Sequence, residues 1–137
     1  MAADPQRVAD TRDWLLKASH DIDAAERLLE GDEPLTDVAV FHCQQGAEKA
    51  LKAFLFWHDA PFRKTHELEE LVDAATRIDQ TIEALREPAA GLTPFAWRFR
   101  YPGELMEPSD ADTRAALEAC RAVYARVRER LPAEARP

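Results

Sequence analysis

Apolar side chains recur at helical steps through most of this chain. Trp14, Leu15, Ala18, Ile22, Ala25, Leu28 and Leu29 form one stripe, which predicts a first helix beginning near Asp10 or Thr11 and stopping before Gly31. Arg12, Asp13, Lys17, Asp23 and Arg27 fall off that stripe and read as a solvated face. Asp21 lies at its edge, so it is either a rim residue or a buried carboxylate that needs a partner. Gly31-Asp32-Glu33-Pro34 predicts a turn, with Asp32 as a cap and Pro34 at a helix-starting position that needs no amide donor.

A second helix is expected to run to about Asp59. At about 100° per residue, Val40, Cys43, Ala47, Ala50, Leu51 and Phe54 share one face. Val38, Phe41 and Phe56 lie with Gln45, Glu48, Lys49 and Lys52 on the opposite face. Two occupied faces fit a helix at a subunit interface or cleft, and equally a central helix with a second neighbour. Thr65 can cap a third helix whose stripe is Leu68, Leu71, Val72 and Ala75. Ile78, Ile82 and Leu85 continue the pattern to Arg86, as one long helix or as two bent around Asp79.

From Glu87 to Pro108 the periodicity is lost among Pro88, Gly91, Pro94, Pro102, Gly103 and Pro108, which predicts an irregular loop with room for one short helical turn. Phe95, Trp97, Phe99 and Tyr101 interleave there with Arg98 and Arg100. Ser109 with Asp112 resembles a capping box and opens a last helix, with a stripe of Ala116, Leu117, Cys120, Val123, Tyr124, Val127 and Leu131, ending near Pro132. Its arginines at 121, 126, 128 and 130 suit the negative end of the helix dipole.

The totals sharpen this picture. A chain of 137 residues fits one all-α domain, 1–137, with a helical core at about 10–131. An apolar share of 46%, a charged share of 32% and only 4 glycines favour helices over an all-β or disordered chain. Eighteen Lys+Arg against 26 Asp+Glu leave a net charge of −8, so long-range attraction to nucleic acid is excluded and any RNA contact must be local. Cys43 and Cys120 form no disulfide framework and no metal-ligand spacing, so neither metal nor cofactor is implied and a reducing cytoplasm fits. The polar N-terminus lacks a signal-peptide pattern, and no stretch reaches the ~18 apolar residues of a membrane span.

Four segments, taken together, resemble the HEPN (higher eukaryotes and prokaryotes nucleotide-binding) family. They are Trp14-Leu15 with Ala18, Asp21 and Ala25; the run from Phe41 to Ala53, with Gln44-Gln45, Glu48-Lys49 and Lys52; Thr65-His66-Glu67-Leu68 with Leu71; and Arg100-Tyr101-Pro102-Gly103. The resemblance implies an antiparallel bundle of four or five helices that dimerises, often encoded beside a minimal nucleotidyltransferase in a toxin-antitoxin pair. Many members look like metal-independent ribonucleases, in which an Arg is followed after four to six residues by a His, and two copies meet across the dimer. That chemistry uses a cation against developing phosphorane charge and an imidazole to move protons. In this chain no His follows an Arg at that distance: Arg12 and His20 have seven residues between them, and Arg63 and His66 have two.

The expected role is therefore a binding module for a nucleotide or a nucleotidyltransferase partner, with Gln45, Glu48, Lys49, Lys52, His66, Arg98, Arg100 and Tyr101 as its candidate residues. Lys49 and Lys52 would supply charge, Arg98 or Arg100 would grip phosphate, and Phe99 or Tyr101 would stack on a base. In the plainer alternative the aromatics plug the bundle's end, the lysines are solvated, Arg100 pairs with Glu48 or Asp21, His66 fixes a turn and His42 is half exposed. Two further alternatives are a ribonuclease toxin with a variant active site and a structural homodimer using the second helix as its interface.

Overall fold

The computed structural model describes residues 3–103 and 106–137; the expected loop's residues 104 and 105 lie outside the described residues. The described residues form five α-helices, α1 (Pro5–Leu28), α2 (Thr36–Trp57), α3 (Leu68–Thr76), α4 (Arg86–Leu92) and α5 (Asp110–Glu129), with short 3-10 helices at Gln80–Leu85, Thr93–Ala96 and Ala133–Ala135. The described residues contain no β-strand, so the chain folds as an all-helical bundle.

α2 is the central element, packed against α1, α3, α5 and the 93–96 turn. Its pairing with α1 is antiparallel, as the short connection demands: Leu35 N–H donates to the Leu28 carbonyl at 2.8 Å, Asp21 meets Lys49, and Arg7 approaches Asp59 at the far end. The crossing is close because Gly46 carries no side chain. A Cβ there would stand 3.1 Å from Ile22 Cγ1 and 3.3 Å from the Ala18 carbonyl oxygen. Leu15, Ala18, Ala25, Val40, Ala47, Leu51 and Phe54 are fully buried around this contact.

Several element boundaries differ from the periodicity reading. α1 begins at Pro5 rather than near Asp10 or Thr11, because Asp4 accepts from the Gln6 amide at 3.0 Å and Pro5 stands where no donor is needed. α2 begins at Thr36, so Asp32 caps nothing; Leu35 holds the N-cap position, and Asp37 supplies the anion of the first turn. Thr65 accepts from Glu67 N–H at 3.1 Å and thus caps a turn, while α3 starts later, at Leu68. The Leu68 amide is satisfied instead by the Thr93 hydroxyl at 3.1 Å, from 25 residues away. The segment after α3 bends at Asp79, whose carboxylate accepts from Thr81 N–H at 3.0 Å and opens the 80–85 turn.

The largest correction concerns the expected loop. Nearly its first half is α4 and the 93–96 turn, not irregular chain. Pro88 lies in the first turn of α4, where its missing N–H costs nothing, and Ala89, Leu92 and Ala96 are buried. Ser109 accepts from the Asp112 amide at 3.0 Å at the start of α5, as expected from the capping pattern.

Candidate functional site

Two rows of side chains on α2 carry the polar chemistry. Residues 44, 48 and 52 are spaced at i, i+4 and share one row; residues 42, 45 and 49 form the next. The first row is buried, with Glu48 4% and Lys52 7% exposed. Glu48 Oε2 accepts from Lys52 Nζ at 3.1 Å, while Oε1 accepts from Gln44 Nε2 at 3.3 Å and lies 2.7 Å from His66 Nδ1. Gln44 also donates to the His66 carbonyl at 3.0 Å, and Gln45 donates to Gln44 Oε1 at 2.7 Å. The Lys52 ammonium lies 6.0 Å from the Trp14 ring centre and 5.9 Å from that of Phe62. A buried carboxylate with this many donors is satisfied, and the network ties the 65–67 turn to α2.

The second row meets α1. Asp21, buried, holds His42 Nδ1 at 2.8 Å with Oδ1 and Lys49 Nζ at 2.5 Å with Oδ2. With Nδ1–H donating to the carboxylate, the other ring nitrogen of His42, Nε2, keeps a free lone pair in the neutral ring. Asp21 is thus the buried carboxylate with partners, and both candidate lysines are neutralised by acids of this chain.

The third part is the 97–101 segment. Arg100 sits over Phe41, its guanidinium carbon 3.9 Å from the ring centre, and one of its N–H groups donates to the Ala96 carbonyl at 3.0 Å. It pairs with neither Glu48 nor Asp21, contrary to the plainer alternative; stacking on Phe41 directs it to the start of α2 instead. Arg98 lies 4.8 Å from the Phe99 ring centre. Phe99 itself has φ 67°, a left-handed conformation that costs a bulky residue energy and that clusters at functional sites. Asp37, Val38, Phe41, His42, Phe99 and Arg100 line a shallow pocket of about 270 Å³.

The structure therefore places Arg100 and His42 on one pocket, apart from the group formed by buried Glu48 and Lys52 with the exposed His66. Gln45 and Lys49 sit between the two. Tyr101 and Trp97 are exposed rather than plugging the bundle, whereas Phe95 packs against the core and stacks with Phe99 at 6.2 Å. Sequence reasoning missed Gln44, His42 and Asp21 as members of these groups. The signal for Gln44 was its four-residue spacing from Glu48; for Asp21 it was a carboxylate on the rim of an apolar stripe.

Neither cysteine offers a nucleophile. Both are buried, and the hydrogen bond that the Cys43 thiol shares with Cys120, with burial, pushes that thiol far above its usual range. Among the described residues no cluster of three or more His, Cys, Asp or Glu side chains is arranged to hold a metal, and no helix is long and apolar enough to cross a membrane.

The same helical outline occurs in a solved structure. TT1696 from Thermus thermophilus, known from a crystal structure, superposes with a TM-score of 0.75 at 28% identity, covering 88% of this chain and 98% of that one. No curated protein matches the chain. Residues 11–130 match the HEPN domain, a span that runs from within α1 to the end of α5, and the chain belongs to that family.

Proposed function

We propose that this chain is a nucleotide-binding module whose phosphate-reading group is Arg100 beside His42, and that it works with a nucleotidyltransferase-type partner in the cytoplasm. The observation that carries the reading is the shared pocket: an exposed guanidinium, an imidazole held by Asp21, and the rings of Phe41 and Phe99. A guanidinium keeps several donors for phosphate oxygens after one is used by Ala96, and the aromatic edge beside it offers a base a surface to stack on. Lys49 and Lys52 do not serve as phosphate ligands in this reading, since each already meets a carboxylate. The two free buried thiols suit a reducing compartment.

The test is a thermal-melt panel with ATP, other nucleotides and a short RNA, on wild type and on Arg98→Ala/Arg100→Ala. A ligand at about 100 times its Kd adds about 2.7 kcal/mol of stability. A shift confined to wild type supports the reading, and its absence with every ligand overturns it. RNA cleavage that disappears in His42→Ala would transfer the assignment to a ribonuclease with a variant site.

One observation favours protein docking at the same edge. Leu35, Val38, Trp97, Tyr101 and Met106 are exposed around the start of α2, and the Thr36 hydroxyl donates to Glu107 at 3.4 Å, which holds the Met106 segment there. The nucleotidyltransferase or a second copy of the chain would cover them. Co-expression with a minimal nucleotidyltransferase, and sedimentation of Phe41→Asp and Val38→Asp variants alone, separate these two occupants.

A further inference from the structure

α4 and α5 leave between them an open groove of about 530 Å³ that the site above does not use. Its α5 wall is made of short side chains, Ala115, Ala119 and Ala122, and its other side of Gly91, Leu92 and Phe95, so the floor is apolar and another backbone can approach α5 closely. Gly91 is informative within this set. It lies in the last turn of α4, and a Cβ placed on it would meet nothing within 4 Å. Packing within this chain therefore does not require the glycine, in contrast to Gly46.

The rim is one-sided in charge. Glu87, Asp112 and Glu118 line the groove, and no Lys or Arg does. Elsewhere acids meet cations: Glu26 with Arg121, Glu70 with Arg63, Asp79 with Arg130, Glu83 with Arg86. None of the three rim carboxylates has an ion-pair partner among the described residues. An apolar, small-residue floor between unpaired carboxylates is complementary to a helix with one apolar face and basic flanks.

We propose that the α4–α5 groove is a docking site for a basic amphipathic helix of a partner protein, distinct from the Arg100 pocket. The probe is a fluorescently labelled synthetic helix with leucines on one face and lysines on the other, titrated by anisotropy against the full chain. Three variants accompany wild type: Glu87→Lys/Glu118→Lys removes the rim, Gly91→Leu fills the floor, and Asp32→Lys/Glu33→Lys makes the same net-charge change in the α1–α2 turn. All substituted residues are exposed, and far-UV circular dichroism checks that each variant folds. Rim and floor variants should each weaken binding by about tenfold, and the turn variant by less than about threefold.

Equal loss in the turn variant would reduce the effect to the net charge of the chain and overturn the proposal. Binding that survives Gly91→Leu would do the same, because the floor would then be unused. If wild type instead self-associates with concentration and Gly91→Leu abolishes that, the occupant is a second copy and the partner assignment falls.

Discussion

The Glu48 network makes the sharpest demand on stability. Lys52 and Glu48 have side chains only 9% and 6% exposed, 3.1 Å apart, and the carboxylate also meets Gln44 and His66. Lys52→Met keeps the aliphatic packing against Trp14 and Phe62 but leaves the carboxylate buried without its ammonium. Breaking a buried pair from one side costs about 3 to 5 kcal/mol, which in a domain of this size lowers Tm by roughly 10 °C or more. Replacing both partners, as Glu48→Leu/Lys52→Met, removes both charges and should recover most of that loss, to within about 1.5 kcal/mol of wild type. Urea unfolding at neutral pH, followed by circular dichroism and by tryptophan fluorescence, measures wild type, Lys52→Met, Glu48→Leu and the double variant, the four corners of the cycle. A Lys52→Met variant within about 1 kcal/mol of wild type would refute the reasoning, since a surface pair behaves that way and a buried one does not.

The two helical glycines are a matched test: Gly46→Ala must push on Ile22 and the Ala18 carbonyl, so overpacking outweighs the helix gain for a net loss of about 1 kcal/mol, whereas Gly91→Ala meets open space and gains about 0.5 to 1 kcal/mol. Urea midpoints of opposite sign are the expected result, and equal signs would remove the close-approach argument. Burial pushes the pKa of His58 below its ordinary 6.5, opposed by the charge of Asp79. The unfolded chain then takes up the proton first, so stability is lost as pH falls from 6.5 toward the lower native value; His58→Gln should flatten that stretch of the stability-pH curve, and an unchanged slope would clear His58 as its source. Ser109→Ala, which removes the α5 cap, should cost about 1 kcal/mol, and Ser109→Gly only a few tenths; equal losses would deny the hydroxyl its capping role.

What could be read from the sequence was whatever repeats along one helix. The stripes of α1, α2, α3 and α5 and the Ser109 cap all depend on neighbours within a few residues, and each is present. α4 was illegible because seven residues carry too few apolar positions to show a period, and Pro88 and Gly91 read as breaks. The start of α3 was misplaced because its amide is capped by Thr93, a tertiary partner that no local pattern discloses. The candidate site divided in the same way. Glu48, Lys49, Lys52, Arg98 and Arg100 were visible as a concentration of charge, and the Glu48–Lys52 pair is an i, i+4 contact within α2. That Asp21 meets both His42 and Lys49 depends on the α1–α2 crossing, which no local pattern discloses.

The double grip of Asp21 on His42 and Lys49 also sets how this molecule can respond to a ligand. A ratchet of α1 along α2 by one turn, about 5.4 Å, would break both bonds at once and drive the Gly46 notch into a side chain, so the hairpin behaves as a fixed platform. The 97–101 segment meets the platform through the contact of Arg100 with Phe41, with the left-handed Phe99 beside it storing backbone strain. In the proposed reading a phosphate would compete for that arginine, its binding free energy would be expressed as lifting or reseating of a strap over a fixed floor, and a rotation of Phe99 out of the left-handed region would be the torsional coordinate on which the two states differ.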